Sequence, residues 1–155
     1  SISGVTSKVY TGSAITQTPV VRIGDKTLAN GVDYSVSYAD NQNAGTATLT
    51  ITGMGNYAGS KSVAFAINRP SIATATVSKI ANKAYTGKAI TQAPVVKLGS
   101  NTLKNGTDYT VSYSNNKVAG TATVTFAGMG NYTGVKSATF KITQAANSAK
   151  AAKAA

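Results

Sequence analysis

Two stretches early in the chain alternate strictly between apolar and polar residues, and a third alternates large apolar residues with alanine. In residues 33–38, Tyr34, Val36 and Tyr38 fall on one side and Ser35 and Ser37 on the other. Residues 46–52 place Ala47, Leu49 and Ile51 on one side against a row of threonines. Val63, Phe65 and Ile67 make the third run. A period of two is that of a strand in a sheet with one buried and one wet face. The same three patterns return later as Tyr109/Val111/Tyr113, Ala122/Val124/Phe126 and Ala138/Phe140/Ile142. Shorter apolar groups around Ile2, around Ile15, at residues 20–23 and at residues 72–77 predict further short strands. Turn signals at Gly24-Asp25, Asn30-Gly31, residues 41–45 and residues 53–59 separate the runs. The pattern predicts an all-β chain with about six or seven short strands in each of two small β-sandwiches.

The return is a true internal repeat. At an offset of 75, residues 1–68 match residues 76–143 without a gap, with 39 identities in 68 positions. Tyr10-Thr11-Gly12 becomes Tyr85-Thr86-Gly87, Asp33-Tyr34 becomes Asp108-Tyr109, and Gly53-Met54-Gly55-Asn56-Tyr57 becomes Gly128-Met129-Gly130-Asn131-Tyr132. Pro19 and Pro94 pair, whereas Pro70 has no partner and stands directly after the last alternating run of the first unit. A stiff linker belongs there. The reading assigns 1–69 to a first repeat, N-terminally incomplete, and 70–144 to a second. It expects residues 145–155, rich in Ala and Lys, to be a disordered tail. The first unit starts at the equivalent of residue 76, and no signal peptide opens the chain, so a piece of a longer array is expected.

Composition removes most catalytic chemistry. There is no Cys and no His, and all four acidic residues are Asp. That takes away thiol nucleophiles, imidazole bases, disulfides and the usual zinc sites. The expectation is a protein that is not an enzyme, with no cofactor and no metal. No apolar run approaches the roughly 18 residues of a membrane span.

The net charge is +11 and is unevenly spread. Residues 1–69 carry five Lys or Arg against three Asp, and residues 70–144 carry eight against one. Lys79, Lys88, Lys104, Lys117 and Lys141 stand where the first unit has Gly4, Ser13, Ala29, Gln42 and Ala66. Drift at solvated positions accounts for this most simply. A general attraction to polyanions follows from the field, with no specific nucleic-acid site.

Candidate sites are few. The Gly-rich stretch at residues 53–59 reads as a tight loop with Tyr57 packed back over the sandwich, because no helix follows to hold a phosphate. Its repetition still makes Asn56, Tyr57, Asn131 and Tyr132 candidate ligand contacts, together with the basic residues Lys88, Lys104 and Lys117. Asp33 and Asp108 are expected to accept amide hydrogens of the preceding turn. A sharper alternative is an acid promoting a Lys–Asn isopeptide bond, with Lys8/Lys83, Lys61/Lys136, Asn41/Asn116 and Asn56/Asn131 as paired candidates. Asp40-Asn41-Gln42-Asn43 has the flavour of a calcium loop, but its counterpart Asn115-Asn116-Lys117-Val118 loses the acid and gains a cation.

The Asn-Gly-x-Asp-Tyr-x-Val-Ser-Tyr strand, the Ala-Gly-Thr-Ala-Thr strand and the Gly-x-Gly-Asn-Tyr-x-Gly loop resemble bacterial Ig-like tandem repeats. Those repeats are strung along secreted or wall-anchored proteins of Gram-positive bacteria. The resemblance covers residues 1–144 and implies two Ig-like β-sandwich domains in an extracellular or cell-surface setting. The role it implies is that of a spacer or adhesive stalk. Partners would be neighbouring repeats and, for an adhesive module, a cell-wall polyanion, a glycan or a host surface protein. The alternative is a ligand-binding module that recognises such a partner through the repeated Gly-Asn-Tyr loops and the basic surface.

Overall fold

Each alternating run forms a long strand, and every long strand sits in a sheet that buries one face. The structure, a computed structural model, describes residues 1–144. It divides into two units, Ser1–Pro70 and the part from Ser71 onward. The first contains β1 (Ile2–Ser3), β2 (Lys8–Val9), β3 (Val20–Ile23), β4 (Lys26–Thr27), β5 (Tyr34–Ala39), β6 (Gly45–Gly53) and β7 (Ser60–Asn68). The second opens with a 3-10 turn, Ile72–Thr74. It continues as β8 (Thr76–Val77), β9 (Lys83–Ala84), β10 (Val96–Leu98), β11 (Asn101–Thr102), β12 (Tyr109–Ser114), β13 (Gly120–Gly128) and β14 (Val135–Thr143). Each unit is thus a seven-stranded, sandwich-like all-β domain, as expected. The tail at residues 145–155 lies outside the described residues.

Within the first unit, β2-β7-β6-β5 form a four-stranded sheet and β1-β3-β4 a three-stranded one. The second unit repeats this order with β9-β14-β13-β12 and β8-β10-β11. The long pairs are antiparallel, whereas β2 runs parallel to β7 and β9 parallel to β14. Register puts the apolar sets face to face. Ala47 opposes Phe65, Leu49 opposes Val63 and Tyr38 opposes Leu49. A slip of one residue would turn this whole set to water, so burial fixes the pairing. Ala47 and Leu49 are fully buried, as are Ala122, Val124 and Phe126 in the second unit. On the wet face Thr50 and Ser62 share a hydroxyl hydrogen bond of 2.8 Å.

The three-stranded sheet is too short to cover the long one alone. Residues 10–19, between β2 and β3, complete the cover without a ladder of their own. Ile15, expected in a strand, is instead buried in this crossing segment. Its backbone groups are satisfied by one residue. The Ile15 amide donates to the Asn41 carbonyl at 2.8 Å, and Asn41 Nδ2 donates to the Ile15 carbonyl at 2.8 Å. Tyr38 makes a second clamp: its hydroxyl donates to the Gln17 carbonyl at 2.7 Å and accepts the Gln17 amide at 2.8 Å. Asn116 with Ile90 and Tyr113 with Gln92 reproduce both clamps. Half-buried backbone groups with no ladder need such partners.

Residues 72–77 also depart from the expected strand. Ser71 Oγ accepts the Ala73 amide, and the Ala75 amide closes onto the Ile72 carbonyl at 2.9 Å. A serine that bonds the backbone two residues on favours a turn over a ladder, and only Thr76–Val77 remains strand.

The clamps predict an asymmetric mutational response. Replacing Tyr113 by Phe leaves the ring in place but strands the Gln92 amide and carbonyl. It should cost about 1–2 kcal/mol, toward the low end of the penalty for unsatisfied groups because the Gln92 backbone is only half-buried. Lys88→Ser on the surface should stay within about 0.5 kcal/mol. Urea midpoints at constant m-value check both.

Candidate binding surface

The loops carrying the candidate residues are built by glycine. At Gly53 a Cβ would lie 2.8 Å from the Ala58 amide nitrogen, and at Gly128 it would lie 2.6 Å from the Thr133 carbonyl oxygen. The loop folds so tightly onto the strand end that no side chain fits there. The Gly53 amide donates to the Gly59 carbonyl, and Gly128 repeats this with Gly134, both at 2.8 Å. The loop is anchored sideways by the Met54 amide on the Asp33 carbonyl and by Met129 on Asp108, both at 2.9 Å.

This geometry sorts the loop candidates. Tyr57 is half-buried and packs against the core, and Tyr132 is only 7% exposed. Their rings serve packing. Asn56 is exposed at the loop tip and Asn131 is half-buried. Lys26 Nζ lies 5.4 Å from the centroid of the Tyr57 ring. A hydrogen bond with the Tyr57 hydroxyl, helped by the Tyr57 and Asp33 charges, raises the Lys26 pKa above the ordinary lysine value. The sequence signal for this contact was weak, because the second unit has Asn101 where the first has Lys26.

The three basic candidates are all exposed, but they do not converge. The Lys104 amide donates to Asp108 Oδ2 at 2.8 Å, just ahead of β12. Lys117 follows the far end of β12, and Lys88 belongs with it through the hydrogen bond from the Ile90 amide to the Asn116 carbonyl. The six residues of β12 separate the two ends by about 17 Å at the usual rise per residue. Tyr132 is on the Lys104 side, since Gly128 pairs with Tyr109 at the start of β12. The loop and the Lys88/Lys117 pair therefore lie at opposite ends of the domain.

Asp33 and Asp108 take the expected role: Asp33 Oδ2 accepts the Ala29 amide as Asp108 Oδ2 accepts that of Lys104. The isopeptide alternative finds no support. Lys8, Lys61 and Lys83 are exposed, Lys136 is half-buried, and no charged residue is buried among the described residues. The amide groups of Asn41 and Asn116 are committed to the Ile15 and Ile90 carbonyls. Asp40 and its counterpart Asn115 share a left-handed backbone, φ 56° and 54°. Asp and Asn tolerate that region better than other side chains, so the position selects for a turn and is indifferent to charge. No cluster of three metal-binding side chains occurs among the described residues.

Fold and loops together define a tandem repeat of a small all-β domain. The chain matches the lipoprotein-associated domain family twice, over residues 7–79 and 65–144, and it belongs to that family. No curated protein and no solved structure matches it. The family description suggests a structural module of the cell envelope or surface. No helix among the described residues is long and apolar enough to cross a membrane.

The Asp108–Tyr109 junction gives a pH test. Burial, helped by the nearby Asp108 charge and by Tyr113, raises the Tyr109 pKa above the ordinary tyrosine value of 10.0. The neutral phenol is favoured in the folded state, so its contribution is complete below the unfolded value. It is lost as pH climbs past 10 toward the folded value. Tyr109→Phe should therefore show a constant stability offset up to about pH 10 and a shallower alkaline decline above it, measured by urea unfolding across pH.

Proposed function

We propose that this chain is a non-enzymatic spacer of a cell-envelope or surface protein, two units of an extracellular stalk. The observation that carries the reading is a contrast within the chain. The two units share the core strands, the Tyr38/Tyr113 and Asn41/Asn116 clamps, the Asp33/Asp108 turn and the tight loops. They differ at exposed cations, and those of the second unit lie at opposite ends of the domain. What is held in common is what folds the unit. Repetition of self-contained domains yields reach along one dimension, with stability set locally. The uneven charge would add salt-sensitive attraction to wall polyanions without a defined pocket.

A second reading has one observation in its favour. Met54 and Asn56 are exposed at a glycine-shaped tip, and the same residue types recur at Met129 and Asn131. A glycan or host protein engaged by both tips would gain avidity from the repeat.

Binding of the whole chain to heparin, used as a polyanion probe, separates the two. On the spacer reading, binding should collapse between about 50 and 200 mM salt because it rests on released counterions. Lys88→Ser, Lys104→Ala and Lys117→Gln together should weaken it further, while Asn56→Ala with Asn131→Ala should leave it unchanged. Saturable, salt-resistant binding on a glycan array, lost in the Asn56/Asn131 variant, would overturn the spacer reading.

A further inference from the structure

The two units differ at the segment ahead of the first strand: the second has residues 71–75 there, whereas Ser1 of the first is the counterpart of Thr76. In the second unit the segment ahead of β8 packs into its own domain. Ile72 is fully buried and Ala75 is 2% exposed. The Ile72 amide donates to the Thr133 carbonyl at 2.8 Å, and Ser71 forms a parallel bridge with Thr133. Gly134 is pressed by this segment, since a Cβ there would run into Ser71 Oγ. In the first unit the equivalent surface is open. Gly59 has the same backbone, φ 83° against 82°, yet a Cβ there would meet nothing within 4 Å. Tyr57 is half-buried where Tyr132 is buried, and Val21 is 6% exposed where Val96 is fully buried.

The open surface is a groove of about 230 Å³ between the two sheets. Its walls include Val21, Leu28, Ile51, Tyr57 and Gly59, with Ser1 at its edge. The counterpart of Gly59 is Gly134, which lies against Ser71 and the Ile72 amide in the second unit. The counterpart of Ile51 is the larger Phe126, so the first unit lines its groove with a smaller side chain at that position. The entry register is already set. The Arg22 amide donates to the Ser1 carbonyl at 2.9 Å, the Ser1 amine donates to the Arg22 carbonyl, and Lys97 pairs with Thr76 in the same register. A residue joined ahead of Ser1 would emerge where Ala75 lies.

We propose that the groove of the first unit is a docking site for a linker-type segment joined directly ahead of Ser1. Its chemistry is that of Ser71-Ile72-Ala73-Thr74-Ala75: a hydroxyl cap, a β-branched aliphatic anchor and small residues. The anchor fills the groove, and its amide donates to the Ala58 carbonyl, the counterpart of Thr133. The backbone bridge gives position and the aliphatic pocket gives selectivity, as in other recognition of a peptide at a sheet edge. On this account a repeat's core is completed by the linker that precedes it. Residues 65–79, which hold this linker, fall within both family matches.

The test adds a second copy of residues 70–75 ahead of Ser1 in the full chain and follows amide hydrogen exchange. Fusion should slow exchange of the Tyr57–Lys61 backbone and of β3 by about tenfold or more, with the second unit as an internal control. The same fusion carrying Asp in place of isoleucine should give no protection. Gly59→Ala should erase the gain measured against the same variant without the fusion, because the added Cβ meets the docked serine while the left-handed strain at φ 83° is common to both chains. Ile72→Asp should speed exchange at residues 132–136, as expected for removal of the corresponding plug. Three results would each overturn the proposal: no protection from the fusion, equal protection from the Asp fusion, or equal protection from the unattached hexapeptide at stoichiometric concentration.

Discussion

Everything in each unit depends on covering one apolar sheet face with too little sheet. The four-stranded sheet presents two nine-residue strands, whereas the opposing sheet offers strands of only two to four residues. The remaining cover comes from chain with no ladder. A tyrosine hydroxyl and an asparagine amide hold it down from the end of β5. These groups are stationed where hydrophobic pressure alone would leave peptide groups unpaired. Their recurrence at Tyr113 and Asn116 shows the same solution used twice. Because one residue satisfies both polar groups of Ile15, the segment can bury an aliphatic side chain without a neighbouring strand.

The parts of the fold legible in the sequence are those where side-chain direction follows a period. β5, β6 and β7 alternate over enough positions that only a one-faced sheet fits them, and the offset of 75 carries the reading to β12, β13 and β14. Ile15 and residues 72–77 were not legible in the same way. Two or three apolar residues carry no period, and what decides their conformation is a side chain distant in sequence or a serine cap. The opposite placement of Lys88 and Lys104 was hidden for a related reason. Nothing in their spacing tells which end of a six-residue strand a flanking loop occupies. Asp40 and Asn115 show how charge can mislead, because their shared property is a left-handed backbone.

The domain of this lipoprotein-associated family is built with economy in this chain. The domain relies on no disulfide, carries few aromatic residues and buries no charge among the described residues. Its order comes from β-branched strands, glycine loops shaped by close backbone approach and a small set of polar clamps. That construction leaves exposed positions such as Lys88, Lys104 and Lys117 able to vary between units without touching the fold.

The parallel pairing of β2 with β7 has a mechanical consequence. Lys8 and Val9 lie beside Ile67 and Asn68, and the Tyr10 amide adds a bond to the Asn68 carbonyl at 2.9 Å. Parallel neighbours at the start and end of a domain are dragged past each other when the chain is stretched from both sides. Their hydrogen bonds then carry load together in shear, rather than opening one at a time as a hairpin does when its ends are peeled apart. The same arrangement in β9 and β14 gives each domain a short latch aligned with the pulling direction. Stretched from its two ends, such a domain would first give up the short strand ahead of the latch and would then resist further extension at the latch itself.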